Sequence, residues 1–261
     1  MILVFDVGNT ETTVGLFDDE TLHAHWRITT DATRTPDEIA LTLRGLLAAS
    51  DVDLRSVRGV AIGSVVPSMT DPLSEACQLL CGVKPVIVDA RSKLPITLDV
   101  LEPLTVGADR IINTLAASRT LGVDTIVVDL GTATTYDCIT ADGVFLGGVI
   151  APGVRTSAET LFRRTSKLPS TELVAPERVI GRRTEECIRS GVVLGAADAI
   201  DGLVRRIKGE WPTPRIPMVI ATGGLASMIA PHCTTIDRVD PHLTLVGLRL
   251  AFALITNSTP R

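Results

Sequence analysis

Asp6-Val7-Gly8-Asn9-Thr10 and Asp129-Leu130-Gly131-Thr132-Ala133-Thr134-Thr135 are two versions of one pattern, each following an apolar, β-forming run, Met1 to Phe5 and Thr125 to Val128. A carboxylate that ends a buried strand, then glycine and hydroxyl-bearing residues at a tight turn, provides an anchor for a metal-bound water beside backbone N–H groups that can approach phosphate. Two such turns facing one another would clamp a polyphosphate. An acid closing an otherwise apolar strand is costly to keep without a partner, so Asp6 and Asp129 are more than turn caps. Gly107-Ala108-Asp109-Arg110 opens a helical pattern, where backbone N–H groups and the helix dipole favour an anionic ligand. Asp109 is also what a first helical turn favours on structural grounds, and a helix N-terminus is expected to lower its pKa. Thr222-Gly223-Gly224 ends a short apolar strand with two residues that let a ligand lie against backbone, although Gly-Gly after a strand is also an ordinary turn.

Other reactive residue types form no such constellation. His23 and His25 lie two apart on a strand pattern, with no acid or third histidine to complete a ligand set, and read as a solvated face. Cys77 and Cys81 could share a helix face, but five cysteines with no C-x-x-C pair look like small apolar residues in a reducing compartment. His232 and His242 carry no readable role, and Trp26 and Trp211 read as partial-core residues. Thr184, followed by Glu185 and Glu186, reads as a helix N-cap with acids in its first turn.

The elements that must hold these residues follow from hydrophobic period. Residues 1–29 read as three strands with turns at Gly8 to Thr10 and at Asp18-Asp19-Glu20. A helix runs from Pro36 to Ala49 with Thr35 as N-cap and Ile39, Leu43, Leu46 and Leu47 buried. Strand, helix and strand follow at 57–65, 68–80 and 85–88, then a helix from Gly107 to about Leu121. A second meander begins at Thr125, with strands at 125–130, 135–140 and 144–150. Helices are expected at 153–163, 184–208 and 243–254, and a strand at 218–221, with residues 165–183 an excursion and Thr256 to Arg261 a frayed tail. The order of the first half repeats, which gives two halves of similar build, 1–118 and 119–261, with their junction in the helix before Asp124 and the site in a cleft between them.

The 261 residues are enough to bury roughly 70 to 75% of the unfolded-state surface. The net charge of -5 and the scattered arginines exclude a basic stripe for nucleic acid. No segment approaches the roughly 18 uninterrupted apolar residues of a membrane helix, and the N-terminus enters a strand without the features of a signal peptide, so the expected location is cytoplasmic.

Taken in order, the motifs resemble the actin-like, duplicated ribonuclease-H-like ATPase superfamily and, within it, the type III pantothenate kinase family. The resemblance runs through the first acidic turn, Ser64-Val65-Val66-Pro67, Gly107-Ala108-Asp109-Arg110, the second acidic turn, and Gly147-Gly148-Val149-Ile150-Ala151-Pro152-Gly153. It continues through Leu161-Phe162-Arg163-Arg164-Thr165, Leu168-Pro169, Gly181-Arg182-Arg183-Thr184-Glu185-Glu186 and Thr222-Gly223-Gly224. It implies an α/β fold of two duplicated ribonuclease-H-like domains, with mixed sheets flanked by helices and an active-site cleft between them. The implied activity is ATP-dependent phosphorylation of the 4'-hydroxyl of pantothenate, the first step toward coenzyme A.

The roles implied by the resemblance fall on particular residues. Asp6, Val7, Gly8, Asn9, Thr10, Glu11, Thr12 and Thr13 form a phosphate loop, with Asp6 near Mg2+; Glu11 is expected to face solvent. Thr132 reaches ATP, Asp129 holds a monovalent cation (K+ or NH4+), and Gly223 and Gly224 lie against adenosine. Gly107, Ala108, Asp109 and Arg110 bind the substrate with Asp109 as general base, and Thr184 contacts pantothenate. Family members are homodimers with the substrate pocket at the subunit interface. One departure stands out: Val100 occupies the position, seven before Gly107, where the family usually has a Tyr lining that pocket. Two alternatives stay open, a non-catalytic regulatory relative and a kinase of another small hydroxylated acid. Retention of Asp6, Asp109, Asp129 and Thr132 argues against the first, and Val100 keeps the second.

Overall fold

The computed structural model describes residues 1–257. Strand β1 (Ile2–Val7) is buried at Leu3, Val4, Phe5 and Val7 in succession, the pattern of a central strand covered on both faces rather than one with a wet side. β2 (Glu11–Asp18) returns antiparallel to it, and β3 (Thr21–Thr29) pairs antiparallel with β2. β3 alternates exposed and half-buried residues, which places His23 and His25 on a solvent face and Trp26 and Ile28 against the core.

Helix α1 (Pro36–Ala48) begins where Thr35 and Glu38 form a capping box: the Glu38 N–H donates to the Thr35 hydroxyl at 3.4 Å and the Thr35 N–H to the Glu38 carboxylate at 2.9 Å. β4 (Gly59–Ser64), α2 (Pro67–Cys81) and β5 (Val86–Val88) then add two parallel strands to β1. A two-residue strand, β6 (Thr97–Leu98), precedes α3 (Ala108–Thr120).

The second unit repeats this build. β7 (Thr125–Leu130), β8 (Ala133–Ile139) and β9 (Val144–Pro152) form an antiparallel meander, followed by α4 (Val154–Arg164). α5 (Thr184–Arg189) runs through a π-helical turn at Ser190–Leu194 into α6 (Gly195–Gly209). β10 (Met218–Thr222), α7 (Ala226–Ile229) and β11 (Arg238–Val239) follow, then α8 (Leu243–Asn257). The strand order β3-β2-β1-β4-β5 of the first unit matches β9-β8-β7-β10-β11 of the second, with the same strand directions. Asp6 faces Thr13 and Gly63 across its sheet as Asp129 faces Thr135 and Thr222, so both acids occupy the same position in the duplicated plan.

The division at residue 118 needs two changes. The compact units are Met1–Thr120 together with the chain from Leu243 onward, and Leu121–His242. Helix α8 therefore belongs to the first unit, because Leu245, Leu248 and Ala251 join Val4, Phe17, Ala61, Ala108, Ile112 and Leu115 in one buried cluster. The Thr244 hydroxyl lies 3.0 Å from Oδ1 of the buried Asn113, and a Cβ at Gly247 would overlap the backbone of Ile112. Thr256 and Asn257 are helical, and the rest of the expected tail, residues 258–261, lies outside the described residues. The two- to four-residue elements β6, α7 and β11 are too short to show a hydrophobic period, and sequence reading passes over them. Among the described residues no helix is long and apolar enough to cross a membrane.

Candidate active site

In the first unit the turn between β1 and β2 is built backbone first. The Gly8 N–H donates to the Glu11 carbonyl at 3.1 Å, closing the turn around Asn9 and Thr10, both exposed. From beneath, Thr30 at the end of β3 donates its N–H to the Thr10 carbonyl at 3.0 Å and its hydroxyl to the Gly8 carbonyl at 2.7 Å. Thr12 is buried with its hydroxyl 2.8 Å from that of Thr30, and Val7 is buried in the core. Of the loop residues 6–13, then, Val7 and Thr12 turn their side chains inward, while Asn9, Thr10 and Glu11 face out and Asp6 and Thr13 are half-buried. Glu11 points to solvent, 3.9 Å from Arg27 on the neighbouring strand.

At the start of α3 the Asp109 carboxylate folds back over the chain. Its Oδ1 accepts from the Arg110 N–H at 2.8 Å and would lie only 2.5 Å from a Cβ at Gly107, so any larger residue there displaces the acid. The expectation of a lowered pKa at Asp109 is overturned. Burial raises it, and the Arg110 N–H and guanidinium offset that only in part. The helix-terminus argument considers the N–H groups alone, whereas this carboxylate is largely removed from water.

In the second unit Asp129 holds the place of Asp6. Its Oδ1 sits where a Cβ at Gly223 would fall, and Gly223 has φ of 89°, a left-handed conformation that favours glycine. Thr132 is exposed, and its carbonyl accepts a 2.7 Å hydrogen bond from the Thr156 hydroxyl of α4. Leu225, one residue beyond Gly224, lines a cavity of about 370 Å³ together with Arg155, Phe162, Thr171, Glu172 and Ile188. Thr184 is exposed and is not the helix cap: the N-cap position of α5 falls on Arg183, with no side-chain cap bond, and the Glu186 carboxylate accepts from the Arg182 N–H at 2.7 Å. That contact holds the Glu186 carboxyl below its usual range.

Within the first unit the structure supplies a tight turn at Gly8 to Thr10, with an acid before it, and a half-buried acid at a helix start; within the second it supplies the repeated turn and the Gly-Gly loop. Thr30 and Thr156 carry no signal in the sequence, since one threonine at a strand end or on a helix matches no motif. Among the described residues, no group of three or more His, Cys, Asp or Glu side chains is gathered to hold a metal ion.

The sequence model of the type III pantothenate kinase family matches residues 2–206. A type III pantothenate kinase of Roseiflexus sp. (strain RS-1) is 45% identical over 254 residues, covering 97% of this chain and 99% of that protein. One of Moorella thermoacetica is 42% identical over 252 residues, covering 97% and 98%. Among solved structures, an activator of 2-hydroxyisocaproyl-CoA dehydratase from Clostridium difficile matches with a TM-score of 0.59 at 14% identity, covering 98% of this chain and 96% of that one. The component A of (R)-2-hydroxyglutaryl-CoA dehydratase from Acidaminococcus fermentans gives 0.56 at 13% identity, covering 98% and 97%. These two likenesses speak to the fold alone. With its duplicated acidic turns, its Gly107 to Arg110 helix start and near full-length similarity to these kinases, the chain belongs to the type III pantothenate kinase family.

Proposed function

We propose that this protein transfers the terminal phosphoryl group of ATP to the 4'-hydroxyl of pantothenate. Family membership supports the activity and its two substrates. The observation that carries the chemistry is Asp109: a carboxylate held at a helix start by the Arg110 N–H, with a pKa raised by burial, is a better proton acceptor than an ordinary surface aspartate. In the proposed step Asp109 takes the proton of the 4'-hydroxyl, the hydroxyl oxygen forms a bond to the terminal phosphorus, and the bond to the bridging oxygen breaks with ADP as leaving group. Arg110, the N–H groups at the start of α3 and the exposed Thr184 bind the pantothenate anion. Gly107 leaves room for the Asp109 carboxylate, and Ala108 turns its side chain into the core.

The N–H groups of the Gly8 to Thr10 turn and Thr132 engage the ATP phosphates, and Gly223 and Gly224 take the adenosine. The residues fit the implied cations in a specific sense. With no cage of ligands, a divalent ion would rest on Asp6 and the phosphates themselves, the usual mode for Mg2+. Asp129, the equivalent acid of the second unit, is the carboxylate that would hold K+ or NH4+. When bound, these ions neutralise phosphate charge. Exposed apolar side chains, among them Ile180 at 85% exposure, support a homodimer. A cytoplasmic site of action is in keeping with free cysteines and substrates of central metabolism.

Val100 favours a second reading, a kinase of another small hydroxylated acid. ATP consumption measured with pantothenate, with other hydroxy acids and with no acceptor, in K+ and in Na+ buffers, separates the two. Pantothenate-dependent, K+-stimulated consumption is expected; consumption driven by another acid and not by pantothenate would replace the substrate.

A further inference from the structure

We infer that Thr30 is a positioning residue for the nucleotide: from beneath the Gly8 to Thr10 turn it fixes the peptide plane that presents the Asn9 N–H to phosphate. The inference rests on the reading of that turn as a phosphate loop. Thr30 engages both ends of the turn, its hydroxyl on the Gly8 carbonyl at 2.7 Å and its N–H on the Thr10 carbonyl at 3.0 Å. Because a trans peptide directs its C=O and N–H oppositely, drawing the Gly8 carbonyl down toward Thr30 aims the N–H of Asn9 the other way, to the face where Asn9 and Thr10 are exposed.

The hydroxyl protons can be assigned by counting. Thr30 has a single hydroxyl proton, and the Gly8 carbonyl can only accept, so that proton goes to Gly8. The 2.8 Å contact between Thr12 and Thr30 must then use the proton of Thr12, and the chain of donors runs from buried Thr12 through Thr30 to the turn. A ready-made anion site of this kind depends on N–H groups that are oriented before the ligand arrives. Serine retains this donor; valine, of the same shape as threonine, removes it and leaves both the Gly8 carbonyl and the Thr12 hydroxyl without this partner.

The test is steady-state kinetics of Thr30→Val and Thr30→Ser, with KM for ATP and for pantothenate measured separately alongside thermal stability, and with Asp6→Asn as companion. Thr30→Val is expected to raise KM for ATP about three- to tenfold with KM for pantothenate unchanged, and Thr30→Ser to stay close to the parent protein. Should the valine form not fold, Thr30→Cys, a weak donor of similar size to serine, is expected to fall between the two. Lower thermal stability with both KM values unchanged, while Asp6→Asn still impairs use of ATP, would mean that Thr30 merely supports the fold and would overturn the inference alone. If Asp6→Asn also leaves ATP use intact, the phosphate-loop reading fails and takes the inference with it.

Discussion

Asp109 is held where its charge is disfavoured, and this single residue joins function to stability. In its proposed role as base Asp109 would contribute about 10^2 to 10^4 in rate, so Asp109→Asn should lose that much turnover. The same variant should gain stability. A carboxylate whose folded pKa lies above its unfolded value, about 3.9, contributes stability that is complete below that value and is lost as pH rises through the folded one. The asparagine form carries no such charge, so denaturant titrations should show it gaining on the parent protein as pH is raised from below about 4 toward neutrality. An unchanged difference across that range would show that Asp109 is not a desolvated acid. The sequence singled out this residue as a candidate, by its place after Gly107 at the start of a helical pattern, but the helix-terminus argument pointed the wrong way for its pKa, because a motif lists the nearest donors and says nothing about lost water. Thr30 was not legible for a related reason: its partners are carbonyls 20 and 22 residues away, and carbonyls leave no mark in a sequence.

Helices and strands place these residues, and the connections that hold the elements are polar as well as apolar. Asp201 of α6 is buried, and it accepts from the N–H groups of Thr234 at 2.8 Å and Thr235 at 2.9 Å, from both of their hydroxyls, and from Arg205 at 3.4 Å. Burial alone would raise its pKa, but the Thr234 and Thr235 donors outweigh burial and hold it below the usual carboxylate range. Asp201→Asn turns one acceptor into a donor facing N–H groups and should cost about 2 to 3 kcal/mol at neutral pH, by chemical denaturation. A depressed folded pKa gives stability that is present above the unfolded value of about 3.9 and is lost as pH falls through the folded one, so the difference between parent and variant should close on strong acidification. A difference that does not change with pH would argue against an ionised Asp201. Periodicity revealed the long elements well, since β1, β7 and α1 carry runs or capping signals that span a whole element. It could not reveal this clasp, in which two threonines beyond α7 meet a helix more than thirty residues earlier.

At the scale of the molecule, duplication is the organising fact: two units with the same strand order place Asp6 and Asp129 at equivalent strand ends. That repeat was visible in the sequence because each copy keeps its acid, its glycine and its hydroxyl residues after an apolar strand. The membership of α8 was not, because chain order gives no sign that a final helix packs back on the first unit. A chain ending at His242 would uncover Val4, Phe17 and Ile112 where Leu245, Leu248 and Ala251 now cover them. Each buried leucine contributes about 1.5 to 3 kcal/mol, a large part of the margin of a typical domain, so the shortened chain should be insoluble or molten by near-ultraviolet circular dichroism. A native spectrum from it would refute the unit assignment. Phosphoryl transfer to pantothenate is followed with a labelled terminal phosphoryl of ATP in the presence of pantothenate, Mg2+ and K+. The label is predicted to appear on the 4'-oxygen of pantothenate, one for each ADP formed and only slowly with Asp109→Asn; ADP formation that leaves pantothenate unlabelled would contradict it.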